Sequence, residues 1–349
     1  MAHLIVKNIG PIKYVDIELK KINVLIGKQN SGKSVICKIA SFCAWVEKTV
    51  SIGKEAELMG EKFKENLERF HYLYEYLNKN SEIIYTSDII SIKYESSEPT
   101  IELNRANRWN FKRPKIEYIT ADRYVVSECP DWDNVRTIYT QNNPLPILDL
   151  DVAYYYDKNK QTDFIRMKNG QTMELDLASD GLQSVIPLLA LFTAYTERLQ
   201  YANIFIEKPE LNLCPATQRS LTYQLVKGTL NGNHKLFITT NSQYILYALN
   251  NCMMGYLVKD KIPATDREKV SCKDACVNPE DVSVWEITDG SMRSIKEEDG
   301  LIGGNYLDNI MQEIMDEFYV MLNYYGNDND HDNDHDKSPS SILKSSPIG

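Results

Sequence analysis

Long apolar runs, a cysteine framework and an excess of basic residues are all missing from this sequence of 349 residues. No uninterrupted apolar stretch approaches the roughly 20 residues that a membrane-spanning helix needs. The seven cysteines are scattered and odd in number, which argues against a disulfide scaffold, and Cys272 and Cys276 lack the second close pair that a zinc site uses. The first residues run into a strand-like pattern without the features of a signal peptide. We therefore expect a cytoplasmic protein without a membrane segment.

The balance of charge is acidic, with a formal net charge of -10. This argues against a protein that coats nucleic acid by bulk electrostatics. One local cluster mixes basic and aromatic side chains: Arg105, Arg108, Trp109, Phe111, Lys112, Arg113 and Lys115. A solvated loop or hairpin face is the simpler interpretation of that cluster, and a nucleic-acid contact is the alternative.

One stretch of the chain fits the pattern G-x-x-x-x-G-K-[ST] without a mismatch. Its residues are Gly27, Lys28, Gln29, Asn30, Ser31, Gly32, Lys33 and Ser34. An apolar run at 22–26 precedes it, and apolar residues at helical spacing follow from Val35. Strand, glycine loop and helix form the context in which backbone N–H groups cradle phosphate oxygens. We predict a nucleotide triphosphate site at residues 27–35, in which Lys33 reaches the β- and γ-phosphates and the Ser34 hydroxyl holds Mg²⁺.

Strands and helices alternate over much of the chain. Strand patterns at 203–207 and 235–240 flank a helical pattern at 217–227, which predicts a mostly parallel sheet covered on both faces. Patterns at 152–156, 164–167 and 172–175 predict a small meander. The turn sequence 288–291 predicts a hairpin, and 306–325 has the pattern of an amphipathic helix.

The domain organisation that we expect is one head over residues 1–325 and a tail over 326–349. Residues 51–110 have the look of an insertion that stands apart from the nucleotide-binding sheet. The tail is rich in Asn, Asp and His and cannot build a core, so we expect it to be disordered. A metal-binding tail through His331 and His335 is the alternative.

Four stretches in this order resemble the ATP-binding-cassette-like (ABC-type) ATPases of the RecF/SMC and OLD type. More closely, they resemble the compact stand-alone bacterial ATPases that are grouped with the AAA family. The stretches are the opening strands with the phosphate loop, the signature-like segment 178–184, the Walker B-like segment 204–211, and the switch-like strand end 238–242. The resemblance covers most of residues 1–325. It implies an α/β P-loop NTPase fold with a mostly parallel central sheet, an antiparallel β part and a helical and β insertion.

The resemblance also implies cofactors and roles. ATP and Mg²⁺ are the expected ligands, with Glu207 holding the metal together with Ser34. In such ATPases two heads enclose the nucleotide, so the signature residues Ser179, Asp180, Gly181 and Gln183 are expected to face the γ-phosphate of a second copy. A plain helix N-cap at Ser179 or Asp180 is compatible with that role.

Two positions depart from the family pattern. The glutamate that polarises the attacking water is replaced by Lys208, and the histidine of the switch strand is replaced by Asn241. A charged lysine cannot accept a proton from water, whereas asparagine still donates a hydrogen bond. Glu210 is the candidate substitute. The catalytic residues are therefore expected to be Glu207, Glu210 and Asn241, in an ATPase that hydrolyses slowly.

The function that this sequence favours is a nucleotide-gated ATPase subunit. ATP assembles it into a homodimer or higher oligomer that controls a separate effector protein, since the chain carries no effector motif of its own. The resemblance places such ATPases in bacterial antiphage defence. A RecF-like DNA repair or recombination ATPase that clamps DNA is the first alternative, and a pseudo-ATPase scaffold with a purely structural nucleotide is the second.

Overall fold

A computed structural model of the chain describes residues 2–54, 58, 61–95, 98–104, 106, 111–123 and 131–325. Three members of the basic cluster, Arg105, Arg108 and Trp109, lie outside the described residues, as does the predicted tail 326–349. The chain divides into two units, Met1–Gly303 and Gly304–Gly349, which are taken separately below.

Strands of the first unit form two sheets. In chain order they are β1 Ala2–Ile9, β2 Ile12–Leu19, β3 Ile22–Gly27, β4 Glu82–Thr86, β5 Ile90–Glu95, β6 Glu98–Leu103, β7 Lys115–Ile119, β8 Leu145–Pro146, β9 Val152–Asp157, β10 Thr162–Met167, β11 Thr172–Glu174, β12 Ala202–Glu207, β13 Lys235–Thr239, β14 Val282–Thr288 and β15 Ser291–Ser294.

Helices alternate with these strands in the second half of the unit. They are α1 Lys33–Ser51, α2 Glu61–His71, α3 Trp132–Arg136, α4 Asp180–Arg198, α5 Pro215–Leu230, α6 Gln243–Val258 and α7 Ala264–Arg267, and the second unit contributes α8 Tyr306–Tyr325.

The large sheet has eleven strands among the described residues, in the order β6-β5-β4-β1-β2-β15-β14-β3-β13-β12-β7. Pairing is parallel from β14 through β3, β13 and β12 to β7. It is antiparallel from β2 through β1, β4 and β5 to β6. The small sheet, β11-β10-β9-β8, is antiparallel. A parallel run joined to an antiparallel run confirms the predicted fold class.

The core explains why the central strands read as continuous apolar runs. Every residue of β3 is buried, as expected where helices cover both faces of a parallel sheet. Leu25, Phe205 and Phe237 join the cluster packed around α1. Val24, Ile204 and Ile238 alternate with them and are also buried. Since successive side chains of a strand point to opposite faces, the sheet is buried on both sides, and its strand ends are held rigidly.

The small elements predicted from local patterns are confirmed. The meander appears as β9, β10 and β11. The hairpin appears as β14 and β15, with positive φ at Asp289 and Gly290 in the turn. The helix over 306–325 appears as α8.

The expectation that residues 51–110 stand apart from the nucleotide-binding sheet is wrong. β4 pairs with β1 in register from His3 with Thr86 to Lys7 with Glu82, and β5 and β6 continue outwards from it. The block therefore extends the main sheet at its antiparallel edge. The misreading arose because pairing of β4 with β1 is a long-range contact that leaves no mark on the local pattern of either strand.

The second unit is described up to residue 325. None of the residues of α8 is buried, and large apolar side chains such as Ile314, Phe318 and Met321 are exposed. Among the helices of the described residues, none combines the length and the apolar character needed to span a bilayer.

Candidate nucleotide-binding site

The loop between β3 and α1 is shaped by three residues with positive φ. These are Gly27 at 152°, Asn30 at 62° and Gly32 at 99°. A Cβ added at Gly32 would lie 2.4 Å from Ile12 Cδ1, so this position lacks room for a side chain as well as requiring a conformation that favours glycine. The loop leads directly into α1, whose N-terminal N–H groups carry partial positive charge. Residues 28–32 thereby form a concave backbone surface suited to an anion.

Lys33 is the cation of this loop. Its ammonium donates hydrogen bonds to the carbonyl oxygens of Gly27 at 2.7 Å and Lys28 at 2.8 Å, so the side chain folds back along the loop. Burial, and then the positive charge of Lys208, lower the pKa of Lys33 to about 8, while Glu210 acts in the opposite direction. A lysine whose charge is disfavoured in this way gains from a nearby anion.

Parallel register brings three strand ends to the same edge of the sheet as this loop. Glu207 of β12 lies beside Thr239 of β13, which lies beside Leu25 of β3. The N–H of Lys208 donates to Thr239 O at 2.8 Å, and the N–H of Thr240 donates to Leu25 O at 2.9 Å. The Walker B-like and switch-like segments therefore adjoin the phosphate loop, as ligands do at the carboxyl edge of open α/β sheets.

Glu207 is held from one side. The hydroxyl of Tyr118, on β7, donates to Glu207 Oε1 at 2.5 Å, and burial raises the pKa of Tyr118 well above its ordinary value. His71 stacks on Tyr118 with 5.1 Å between ring centroids, and burial lowers the pKa of His71 to about 4, so His71 is neutral near pH 7. Glu207 also adds to the raised pKa of Cys37, after burial, which places its carboxylate near α1 one turn beyond Ser34.

Lys208 has a fixed backbone and an unpaired side chain. Its φ is +43°, its N–H and carbonyl are both bonded, and its carbonyl accepts from Leu211 N at 3.1 Å. Among the described residues its ammonium has no ion pair or hydrogen bond, yet it lies close enough to Lys33 to lower that pKa. Two ammonium groups thus converge on one pocket.

Glu210 and Asn241 meet beside the same pocket. The backbone N–H of Asn241 donates to Glu210 Oε1 at 2.8 Å, and burial raises the pKa of the Glu210 carboxyl. Three buried oxygens lack a hydrogen-bond partner among the described residues: Ser31 Oγ, Glu210 Oε2 and Asn241 Oδ1. Unpaired buried polar atoms are rare in native structures, and a bound ligand with its own donors would satisfy them. The residues present therefore fit a polyphosphate with a hydrated cation.

The signature-like residues form a separate, outward-facing group. Ser179 and Asp180 are exposed where α4 begins. Gln183 donates to the carbonyls of Asp176 and Ala178, both at 2.9 Å. A Cβ at Gly181 would lie 2.7 Å from Asn212 O, so this glycine is also required by packing within its own chain. In the described residues no hydrogen bond joins this group to the phosphate loop of the same molecule.

Arg123 is a functional candidate that the sequence did not reveal. It is fully buried, and its guanidinium donates to carbonyls of Thr120, Ser184, Glu207, Lys208 and Pro209 at 2.9–3.2 Å. It ties the first turns of α4 to the Walker B-like turn. Tyr118 was missed as well. The available signal was position, since β7 pairs in parallel with β12 and both residues follow the line of that edge.

No protein-family model matches the sequence, and no curated protein matches it. Similar solved structures include an SMC head domain from Thermotoga maritima, at 12% identity and a TM-score of 0.47, covering 85% of this chain and 98% of that one. An SMC head bound to the C-winged helix domain of ScpA has 10% identity and a TM-score of 0.48, covering 85% and 98%. A bacterial ABC transporter cassette in a dimeric structure has 11% identity and a TM-score of 0.38, covering 84% and 99%. At these values the likeness concerns the arrangement of strands and helices alone.

Proposed function

We propose that residues 27–35 bind the triphosphate of ATP. The observation that carries this proposal is the convergence of a glycine-shaped loop, the N-terminus of α1 and two ammonium groups on one pocket. Lys33 supplies the first ammonium, and the backbone N–H groups of 28–34 supply oriented dipoles. No N-K-x-D element that reads guanine is present in the sequence, and the resemblance points to adenine.

Ser34 and Glu207 are the residues that would hold Mg²⁺. Both offer the oxygen ligands that this hard cation prefers. When bound, the ion supplies charge neutralisation at the phosphates. The Tyr118 hydroxyl occupies one oxygen of Glu207 and leaves the other for the ion or its water. Such outer hydrogen bonds orient the ligands of metal sites.

Hydrolysis is slow in this proposal because Lys208 holds a proton where related ATPases have a base. Glu210 is the remaining candidate to accept a proton from water, since its Oε2 is unpaired and burial raises its pKa towards the operating range of a general base. Lys208 binds the γ-phosphate instead of activating water. The amide of Asn241 donates to the same phosphate in the position of the switch histidine.

A second copy of the chain completes the pocket. Ser179, Asp180, Gly181 and Gln183 are directed to the nucleotide of the partner, and the N-terminus of α4 offers it a further positive end. Exposure of Ser179 and Asp180 supports this assignment. A ligand contacted by both copies favours the closed dimer by its differential affinity, so ATP acts as the signal for assembly.

The assembled form controls a separate effector, and the biological setting that we propose is bacterial antiphage defence. This part rests on the resemblance to stand-alone ATPases that work with an effector. Co-purification of proteins encoded beside this chain, with and without ATP, tests it. A chain that remains solitary in both states contradicts it.

Equilibrium binding of a fluorescent ATP analogue with Mg²⁺ tests the site itself. We expect saturable binding that the Lys33→Ala variant loses while it keeps the wild-type melting profile. Equal binding by both proteins would exclude the assigned pocket. DNA binding that requires ATP and weakens with salt would favour the clamp alternative. Nucleotide that stays bound through purification without turnover or exchange would favour the scaffold alternative.

A further inference from the structure

Three cysteines that the nucleotide site does not use lie together on the other side of α6. The sequence pairs Cys272 only with Cys276, and the structure adds Cys252 of α6. The N–H of Val277 donates to Cys252 O at 3.1 Å, and the Cys272 thiol donates to Asn251 O at 3.4 Å. The segment 272–277 is thereby fixed against the face of α6 that carries Cys252.

Gly255 creates the space for these sulfurs. A Cβ at this position would lie 2.9 Å from Cys276 Sγ and 3.6 Å from Cys272 Sγ. Residues three apart on a helix share a face, so Gly255 and Cys252 present one surface to the segment. Both thiols of the segment therefore stand beside the turn of α6 to which Cys252 belongs.

The three thiols are not equivalent. Cys252 and Cys272 share a hydrogen bond, which lowers the pKa of Cys272 to about 7 and raises that of Cys252. The pair thus holds one proton near neutral pH, with the thiolate on Cys272. Burial raises the pKa of Cys276, and burial raises those of Cys37 and Cys43 in α1. Since the thiolate is the nucleophile, reactivity is concentrated at Cys272.

Metal binding is not the chemistry that the described residues favour. Among them, no group of three or more His, Cys, Asp or Glu side chains is arranged to hold a metal ion. A thiolate hydrogen-bonded to a second thiol is instead the arrangement of an oxidisable dithiol, in which one cysteine reacts and its neighbour resolves the product.

We propose that Cys272 and Cys252 form a redox site for hydroperoxides. The thiolate of Cys272 attacks one peroxide oxygen, the O–O bond breaks, and the leaving hydroxide takes a proton to become water, or an alcohol if the peroxide is organic. Cys272 is then a sulfenic acid. The sulfur of Cys252 attacks the sulfur of Cys272, its proton and the sulfenic hydroxyl leave as water, and a disulfide remains. Two electrons pass from the dithiol to the peroxide.

The bridge would join two segments that flank the nucleotide site. α6 begins at Gln243, two residues beyond Asn241, and the segment 272–277 leads into β14, which pairs with β3 next to the phosphate loop. Oxidation therefore restrains the chain between the switch-like strand end and the central sheet. The proposal does not depend on the assigned nucleotide function, because the chemistry needs only the thiols.

The full-length protein, without nucleotide, is treated with hydrogen peroxide, alkylated, and analysed by intact mass and by peptide mapping. We expect a mass decrease of two hydrogen atoms, a Cys252–Cys272 bridge, and full reversal by dithiothreitol. The matched control Cys276→Ser forms the same bridge. In Cys252→Ser, dimedone traps a sulfenic acid at Cys272.

Three results would overturn the proposal. One is the absence of any mass decrease in the wild type, which requires no variant and so is independent of folding. Another is a bridge that maps to Cys276 or between molecules. The third is protection of all three thiols by Zn²⁺ at a stoichiometric level, which would make the cluster a metal site. Melting curves of each variant confirm that a lost bridge is not a lost fold.

Discussion

Lys208 offers the sharpest perturbation of the nucleotide site. Its backbone is fixed by three hydrogen bonds, from its N–H to Thr239 O and from Arg123 and Leu211 to its carbonyl. Glu and Gln are unbranched at Cβ like Lys, so both meet the positive φ of this position at similar cost. Lys208→Glu and Lys208→Gln therefore change the side-chain head group while the backbone stays in place.

The two variants separate charge from catalysis. A water-orienting base contributes about 10²–10⁴-fold to rate, and Glu210 already supplies part of that, so we expect Lys208→Glu to raise ATP turnover by at least about tenfold. Lys208→Gln should leave turnover within about threefold of wild type, because it brings no base. Both variants lose a charged hydrogen bond to the γ-phosphate, worth about 1.5–3 kcal/mol, so ATP affinity should fall by about 10- to 150-fold while ADP affinity changes little.

Steady-state phosphate release and equilibrium binding of ATP and ADP measure these effects. A Gln variant that accelerates hydrolysis as much as the Glu variant would show that relief of charge, and not a missing base, limits the wild type. Brisk wild-type turnover, or equal loss of ATP and ADP affinity, would refute the role assigned to the ammonium of Lys208.

Three further outcomes follow from the surroundings of the site. The pKa of Lys33 is lowered from 10.5 to about 8, so the unfolded chain binds more protons between these values and the nucleotide-free protein gains stability as pH rises from about 8 to about 10.5; denaturation across that range should show a rise that Lys33→Met lacks. ATP binding near pH 8 should take up protons for the same reason, measured by calorimetry in buffers of different ionisation enthalpy, and an unchanged heat would contradict it. Tyr118→Phe removes the hydrogen bond to Glu207 and should raise the Mg²⁺ concentration needed for ATP binding by about 10- to 100-fold, whereas His71→Phe should not. Arg123→Lys leaves several buried carbonyls unpaired and should lower the free energy of unfolding by at least about 3 kcal/mol, read from urea titrations, and a change below about 1 kcal/mol would exclude the bracing role.

Local patterns carried much of the fold. The strand of continuous apolar residues before Gly27, the helical spacing after Ser34, and the turn residues at Asp289 and Gly290 each specify their own conformation through burial period or positive φ. The meander and α8 followed from the same signals. In these segments the information is contained within a few consecutive residues.

Long-range contacts were the part that the sequence concealed. Pairing of β4 with β1 places the block around α2 at the edge of the main sheet, although its own pattern reads as a separate insertion. Arg123 looks like a solvated strand end, and only the approach of α4 and the Walker B-like turn makes it a buried brace. Cys252 lies 20 residues before Cys272, and the sequence gives no reason to join them.

The candidate site divides in the same way. Residues 27–34 are recognisable because their spacing alone produces the loop, and Glu207 and Asn241 follow from strand ends that parallel pairing must bring together. The partners that tune these groups, namely Tyr118 on Glu207 and the N–H of Asn241 on Glu210, depend on side-chain directions fixed by packing. Spacing along the chain does not encode them.

The most direct test of the account is the molecular mass in solution, by multi-angle light scattering, with Mg²⁺ and a non-hydrolysable ATP analogue, with ADP, and without nucleotide. The account predicts a dimer or larger assembly with the analogue alone, lost in Lys33→Ala and in Ser179→Arg, while Ser179→Arg still binds nucleotide as a monomer. An unchanged mass in all three conditions, with the analogue bound, would contradict the claim that a second copy closes over the triphosphate.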